Sequence, residues 1–453
     1  MANKPNIVFM LADNVGWGDL SCYGGLVPTP RLDQLASEGI RFTNHNTEAQ
    51  CTPTRSAIMT GRMPVRSGTF KVPLAGTGGN YGLSPWEYTM ADLFSDAGYA
   101  TAIYGKWHLG NAAGRIPTDQ GFDEWWGISE SSDEAAFTSH PMYPPNFPRP
   151  KIKAAFKGQP FEEVDDFNME TRPFMDEKIT EKTIDFIRRS HAEGKPFYAY
   201  VGFTNVHPPM VPHPDFEDAT DSPFPAPKNL AELDHRAGQI LDALDELGLA
   251  EDTIVVWASD NGSGALKGEG AGSGGYWRGV FGGGWEGSYR SPAMIRWPGK
   301  IPTGVVSDEI VAALDWYTTL AGLTGLGDKV PTDRPIDGMD MSAFMQGQAE
   351  TSGRDNYVYM GVDGEVISAK WKNFKVHFRY TVEDSWTAPY IKRQIPMVMD
   401  LINDPQEAID LMDSELVYAW VIGAASAPLV ALAQSAAEFR NIGVGEEGFQ
   451  GYS

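Results

Sequence analysis

The chain has 453 residues, 42% of them hydrophobic and 21% charged, with 49 glycines and 32 prolines. This is a globular composition, long enough for one large domain with a smaller one appended. Acidic residues number 60 against 36 basic, a formal charge of −24, which argues against nucleic acid as a partner and requires any anion site to be locally positive.

The first apolar run, Asn6 to Ala12, reads as a buried parallel strand and ends in Asp13-Asn14. No charged leader or long apolar stretch precedes it, so a cytoplasmic location is expected, or a periplasmic or secreted one if a signal peptide was removed. Gly16-Trp17-Gly18-Asp19 approaches a dinucleotide fingerprint but lacks its third glycine, and Asp13 and Asp19 would face the pyrophosphate; that reading is rejected. A helix is expected over Pro30 to Glu38. The two cysteines, Cys22 and Cys51, give no disulfide framework.

Cys51-Thr52-Pro53-Thr54-Arg55 pairs a thiol with Pro and Arg at fixed offsets and opens an apparent helix that stops at Gly61. A thiol at a helix N-terminus is expected to have a lowered pKa, because the dipole and unpaired N–H groups favour the thiolate. The competing reading is a small buried hydrophobe.

Three further apolar runs follow the pattern of the first. Ala100 to Tyr104 ends in Gly105-Lys106-Trp107-His108, Phe197 to Phe203 in Thr204-Asn205-Val206-His207, and Thr253 to Ala258 in Ser259-Asp260-Asn261-Gly262. Helices are expected at Met90 to Asp96, Asp176 to Arg189 and Leu230 to Leu247. The alternation predicts an α/β fold, a large doubly wound sheet flanked by helices, whose polar strand ends converge on one crevice. Taken singly, Asp-Asn after a strand is commonly a turn or cap, and a histidine before Pro208-Pro209 is commonly solvated. Their conjunction is what points to a site. Leu416 to Ala437 carries no charge and is interrupted by Gly423 and Pro428; a buried or interface helix is favoured there over a membrane span.

Asp13, Asn14, Asp260 and Asn261 offer oxygen ligands, which suit a hard cation: calcium first, then magnesium or manganese. No zinc-type Cys/His spacing occurs, and no G-x-S-x-G elbow.

These segments resemble the type I sulfatases of the alkaline phosphatase superfamily over nearly the whole chain. The likeness rests on Asp13 to Asp19, Cys51 to Gly61, Gly105-Lys106-Trp107-His108-Leu109-Gly110, His207-Pro208, Ser259 to Gly262, Trp285 to Pro292, Asp315 to Gly322, Asp337-Gly338 and Asn403 to Glu407. It implies a catalytic α/β domain over 1–350 and, over 351–453, a small domain with an antiparallel sheet and a packed helix. It also implies that a formylglycine-generating enzyme oxidises Cys51 to 3-oxoalanine (formylglycine), whose hydrate attacks sulfur; the second hydroxyl then expels sulfate. By the same resemblance Asp13, Asn14, Asp260, Asn261 and the Cys51-derived diol hold the metal. Arg55 would stabilise the nucleophile, Lys106 bind sulfate charge, His108 deprotonate the second hydroxyl, and His207 contact sulfate and protonate the leaving oxygen.

The chain departs from that pattern twice. Asn14 stands where an Asp is usual, removing a negative charge from the metal site. Phe281 stands where many relatives carry a lysine that meets the sulfate, which shifts sulfate binding toward His207, with Lys267 or Arg278 as helpers, or makes Phe281 a wall for an aryl or sugar ring. The expected activity is hydrolysis of a small-molecule sulfate ester. The alternatives are a phosphonate monoester or phosphodiester hydrolase and a non-catalytic binder of sulfated ligands. The loops Ser131 to Pro150 and Lys267 to Gly284 are expected to shape the pocket, and a homo-oligomer is compatible with the sequence.

Overall fold

The computed structural model describes residues 4–73, 80–264, 272–383, 385–414 and 416–452. Its centre is a ten-stranded mixed sheet. From one edge the strands are Val305–Ser307, Ile40–Phe42, Ala293–Arg296, Thr253–Ser259, Asn6–Ala12, Phe197–Gly202, Ala100–Lys106, Glu124–Ile128, Lys151–Phe156 and Glu162–Asp166. The five from Thr253–Ser259 to Glu124–Ile128 run parallel, whereas Ala293–Arg296 and Lys151–Phe156 run against them.

The continuous apolar runs follow from burial on both faces. Ile7, Phe9 and Leu11 pack on one side with Ile58 and Met59 of the helix Cys51–Thr60 and with Trp316 and Leu320. Val8, Met10 and Ala12 pack on the other, against Ile179, Phe186, Leu233 and Ile240 of the helices Met175–Ala192 and Pro225–Glu246. Alternate side chains of one strand thus feed two separate cores. Among the expected helices, Met90–Asp96 has the predicted bounds and a Thr89/Asp92 capping box, while Met175–Ala192 extends at both ends and Pro225–Glu246 begins earlier than expected.

Because the four polar-ended strands are neighbours and parallel, Asp13, Lys106, His207 and Asp260 leave the sheet at one edge. Gly105 lets this happen at close quarters: its φ is +108°, and a Cβ there would lie 2.0 Å from the Gly202 carbonyl oxygen of the next strand.

A second sheet, Asn356–Met360, Val366–Trp371, Phe374–Thr381 and Tyr390–Asp400, is a four-stranded antiparallel meander. The helix Ala419–Glu438 lies on it through Val421 and Ala425, which meet Ala369, Val376 and Val398. Of the two forms expected of this uncharged segment, a buried or an interface helix, burial within the chain is overturned. Val421 and Ala425 alone of the helix are buried, while Leu416, Val417, Trp420 and Val430 are exposed. The meander takes one stripe of the helix, Leu429 and Leu432 are half-buried against the cluster of Met63, Val65 and Tyr357, and Arg66 Nη1 donates to Ser435 Oγ at 3.1 Å.

Ions lock the two sheets together. Glu286, from the large domain, is fully buried with Lys370 and Lys375 of the meander, and its backbone N–H donates to Glu407 Oε2 at 2.7 Å. Glu407 in turn binds Lys375 (3.1 Å) and His377 (2.7 Å). Charges this deep are tolerable only when each is paired.

Candidate active site

The helix Cys51–Thr60 begins at Cys51 itself and ends at Gly61, whose φ of +67° closes it in the left-handed conformation. Cys51 Sγ lies 3.4 Å from Asp13 Oδ1. Arg55, one helical turn on, donates to Asp260 Oδ2 from Nε (3.1 Å) and Nη2 (2.8 Å) and to the Lys106 carbonyl from Nη1 (2.9 Å). Lys106 Nζ donates to Asp13 Oδ2 at 2.6 Å. All five side chains are at most 1% exposed. Two carboxylates and two cations therefore surround the thiol in a space closed to bulk water.

Asn14 and His108 both have positive φ, 65° and 59°. Left-handed backbone is uncommon for residues other than glycine and costs about 1–3 kcal/mol. Each sits directly after a strand, where the turn is tethered. Asn14 N–H donates to Asp260 Oδ1 (3.2 Å), Thr52 Oγ1 donates to the His108 carbonyl (3.0 Å), and His108 N–H donates to the Ser129 carbonyl (3.1 Å).

Asn261 Nδ2 donates to Asn14 Oδ1 at 2.6 Å, while Asn261 Oδ1 is buried and has no hydrogen-bond partner among the described residues. An orphaned buried amide oxygen beside two carboxylates is the donor set of a hard cation, so these residues fit a metal such as calcium. Asp13, Cys51 and His207 also offer ligand atoms within 4.8 Å of one another.

The electrostatics correct one expectation. Burial, followed by Asp13 and Asp260, pushes the Cys51 thiol well above its usual pKa, although Lys106 and Arg55 pull the other way. The helix N-terminus does not make a thiolate here, since a buried anion beside two carboxylates costs more than the dipole returns. Burial also opposes charge on Asp13, but Lys106, His207 and Arg55 together hold its carboxyl well below the usual range; Asp260 is raised by burial and by Asp13. Burial, then Lys106 and Arg55, drives His108 far down, so its imidazole is neutral.

His207 Nδ1 is 2.6 Å from the Pro208 carbonyl oxygen, which can only accept; Nδ1 therefore carries hydrogen and Nε2 faces Ser131 Oγ at 3.3 Å. Asp133 Oδ1 lies 3.5 Å from Nδ1. Arg172, buried on the opposite side, donates to the His207 carbonyl at 3.1 Å and to Thr204, fixing the turn. Sequence reading expected the loop from Ser131 at the pocket but did not pair Ser131 or Asp133 with His207, and it missed Arg172. Arg172 carries no motif, and the turn around Ser131 is close only because Glu124–Ile128 pairs with Ala100–Lys106.

The structure thus brings together Asp13, Asn14, Cys51, Arg55, Lys106, His108, His207, Asp260 and Asn261. Phe281 is half-buried at their margin: its N–H donates to the Ser263 carbonyl and that of Gly282 to the Ala49 carbonyl, both at 2.8 Å. Arg278 places its guanidinium over the Trp285 ring, 3.7 Å from the centroid. Lys267 lies outside the described residues.

Comparison with known proteins decides the family: the sulfatase model matches residues 5–326. The chain belongs to the sulfatase family. It is 32% identical to arylsulfatase G of Rattus norvegicus over 92% of this chain and 84% of that protein. It is 32% identical to N-acetylgalactosamine-6-sulfatase of Canis lupus familiaris over 84% and 73%. The crystal structure of PsFucS1 sulfatase from Pseudoalteromonas sp. superposes with a TM-score of 0.90 at 29% identity, covering 97% of this chain and 92% of that one. This sulfatase is a sulfuric ester hydrolase with the alkaline phosphatase-like fold, and its family implies a divalent metal and a formylglycine.

Proposed function

We propose that this sulfatase cleaves sulfate monoesters with a nucleophile made from Cys51 by a formylglycine-generating enzyme, and that its metal is calcium, with magnesium or manganese as substitutes. The observation that carries the reading is the closed cluster of Cys51 Sγ, Asp13, Lys106, Arg55 and Asp260, each held by a partner within 3.5 Å. The raised thiol pKa supports it, because a protonated buried cysteine is inert until it is converted.

Asp13, Asn14, Asp260 and Asn261 would hold the cation, which supplies Lewis acidity toward a sulfate oxygen. The hydrated aldehyde at position 51 supplies one hydroxyl for attack and another for release. Arg55 fixes Asp260 and adds positive charge at the head of its helix. Lys106 offsets the sulfate's charge from below. His108, neutral and with Nδ1 lacking a partner among the described residues, accepts the proton of the second hydroxyl. His207 delivers a proton from Nε2 to the departing oxygen, a task made heavier by Phe281 in the lysine position. Fully modified protein assayed on sulfate and phosphate esters with and without chelator tests this. Turnover of phosphonates alone favours the phosphonate hydrolase, and binding without turnover favours the non-catalytic binder.

We infer further that copies of this chain associate through the helix Ala419–Glu438. Within Leu416–Glu438 an 18-residue window has a mean hydropathy of 1.9, and 11% of that window is buried. From Leu416 to Ala437 it bears no charge, while other faces of a −24 chain repel their copies. Light scattering is expected to give a dimer that Ala427→Glu dissociates; a monomeric wild-type protein refutes it.

A further inference from the structure

Beyond the strand Phe197–Gly202 the segment Thr204 to His207 carries the chain into the site, and its two halves are held by different means. The entry half is tied to its neighbours: the Asp13 N–H donates to the Asn205 carbonyl at 3.1 Å and the Val206 N–H to the Asp13 carbonyl at 2.8 Å. Asp176 accepts the Thr204 N–H at 2.8 Å and the Thr204 hydroxyl at 2.5 Å. The exit half lacks such support. Pro208 and Pro209 follow His207 and carry no N–H. On that side the His207 main chain can be held through its carbonyl, by a donor brought from elsewhere.

Arg172 is that donor. It opens the short helix Arg172–Phe174, just ahead of Met175–Ala192, and is 1% exposed. Its Nη2 lies 3.1 Å from both the Thr204 and the His207 carbonyl oxygens and 3.3 Å from Asn205 Oδ1, while Nη1 lies 3.0 Å from Thr204 Oγ1. Asp176 Oδ2, its ion-pair partner, is 3.7 Å from Nη1, too far for a hydrogen bond. Nε has no hydrogen-bond partner among the described residues. A guanidinium kept for an ion pair would turn its fork to the carboxylate; this one directs both Nη atoms to the turn. The effect reaches the imidazole. His207 Nδ1 is 2.6 Å from the Pro208 carbonyl oxygen, and Nε2 faces Ser131 Oγ at 3.3 Å. A rigid peptide plane joins His207 to Pro208, so pinning the His207 carbonyl also fixes where the ring's own acceptor sits.

We propose that Arg172 is a positioning residue for His207, a role that rests on the reading of His207 as the leaving-group acid. By clamping the His207 carbonyl it keeps Nε2 against the departing ester oxygen, so its loss falls mainly on esters whose leaving oxygen needs a proton. Lysine is a poor substitute, because an ammonium is a point charge on a flexible stem, whereas the planar fork meets four acceptors of one turn at once.

The test uses formylglycine-bearing wild-type protein, Arg172→Met, Arg172→Lys, His207→Ala and the double variant Arg172→Met/His207→Ala, on 4-nitrophenyl sulfate and a methyl hexopyranoside sulfate. Nitrophenolate departs unaided, whereas a sugar alkoxide needs the proton. Arg172→Met is expected to lower kcat on the sugar ester about a hundredfold and on the aryl ester by less than about fivefold. Arg172→Lys should fall between it and wild type on the sugar ester. Because Arg172 acts through His207, removing it from His207→Ala should cost less than about a further twofold. A merely structural role would lower both esters alike and give additive losses. Should Arg172→Met not fold, Arg172→Lys in the same His207→Ala background reads the same coupling. Hydrogen–deuterium exchange over Thr204 to His207, expected to quicken about tenfold or more in the Arg172 variants, reads the clamp without turnover. Additive losses in the double variant, unchanged exchange, or equal losses on the two esters in Arg172→Met when His207→Ala is selective overturn the proposal. If His207→Ala lowers both esters alike while the double variant adds nothing, the acid reading fails and the clamp on His207 stands.

Discussion

Lys106→Met tests the electrostatic core most directly. The substitution keeps the volume of the stem but removes the ammonium 2.6 Å from Asp13 Oδ2, both groups being fully buried. Asp13 keeps Arg55 at 3.5 Å. Removing one partner of a buried pair costs about 3–5 kcal/mol, and the remaining guanidinium places the loss at the lower end. At about 2.1 cal/mol/K of unfolding entropy per residue, a chain of 453 residues loses about 1 °C of Tm per kcal/mol, hence about 3 °C. Because the Asp13 pKa is depressed in the fold, its contribution is present above the unfolded value of about 3.9 and fades as pH falls below it; Lys106→Met should bring that fading to higher pH. Calcium supplies a replacement positive charge. The assay is thermal unfolding at neutral and mildly acidic pH, with chelator and with excess calcium. The deficit should be largest with chelator and shrink with calcium, and hydrolysis should fall by about two orders of magnitude or more in both. A Tm within about 1 °C of wild type in chelator, or a deficit indifferent to calcium, refutes the reasoning.

Other outcomes follow from the same geometry. Cys51→Ala should abolish turnover with the fold intact by circular dichroism, and intact mass after co-expression with the generating enzyme should show the aldehyde at position 51 in the wild type. Asn14→Asp adds a third carboxylate to Asp13 and Asp260 and should tighten calcium about tenfold by titration calorimetry, provided Asn261 keeps its hydrogen bond to position 14. Glu407→Ala removes the carboxylate partner of the buried His377 and leaves Lys375 with Glu286 alone, and should lower Tm by about 3 °C or more. His108→Ala should reduce kcat with little change in KM, and the pH profile should show no limb from His108 near neutrality, since burial keeps it neutral there.

Much of the site was legible before folding. Unbroken β-branched and aromatic runs with polar ends require strands covered on both faces, and parallel neighbours must deliver their ends to one edge. The spacing of Cys51, Pro53 and Arg55 carries over to one helical turn without further help. The loop from Ser131 was expected at the pocket, but its contact with His207 was hidden, because Ser131 and Asp133 are distant from it in sequence and become neighbours only through strand pairing.

The sequence by itself determined the polar-ended strands, the nucleophile helix and the family, because periodicity and motif spacing are local properties of the chain. Tertiary structure decided the rest, where long-range burial and charge compete with local rules. It reversed the expected pKa shift of Cys51, since desolvation beside Asp13 and Asp260 outweighs a helix dipole. It left the uncharged C-terminal helix mostly uncovered, because the four-stranded meander accepts only one stripe of it. It also brought Ser131 and Asp133 against His207, by pairing Glu124–Ile128 with Ala100–Lys106.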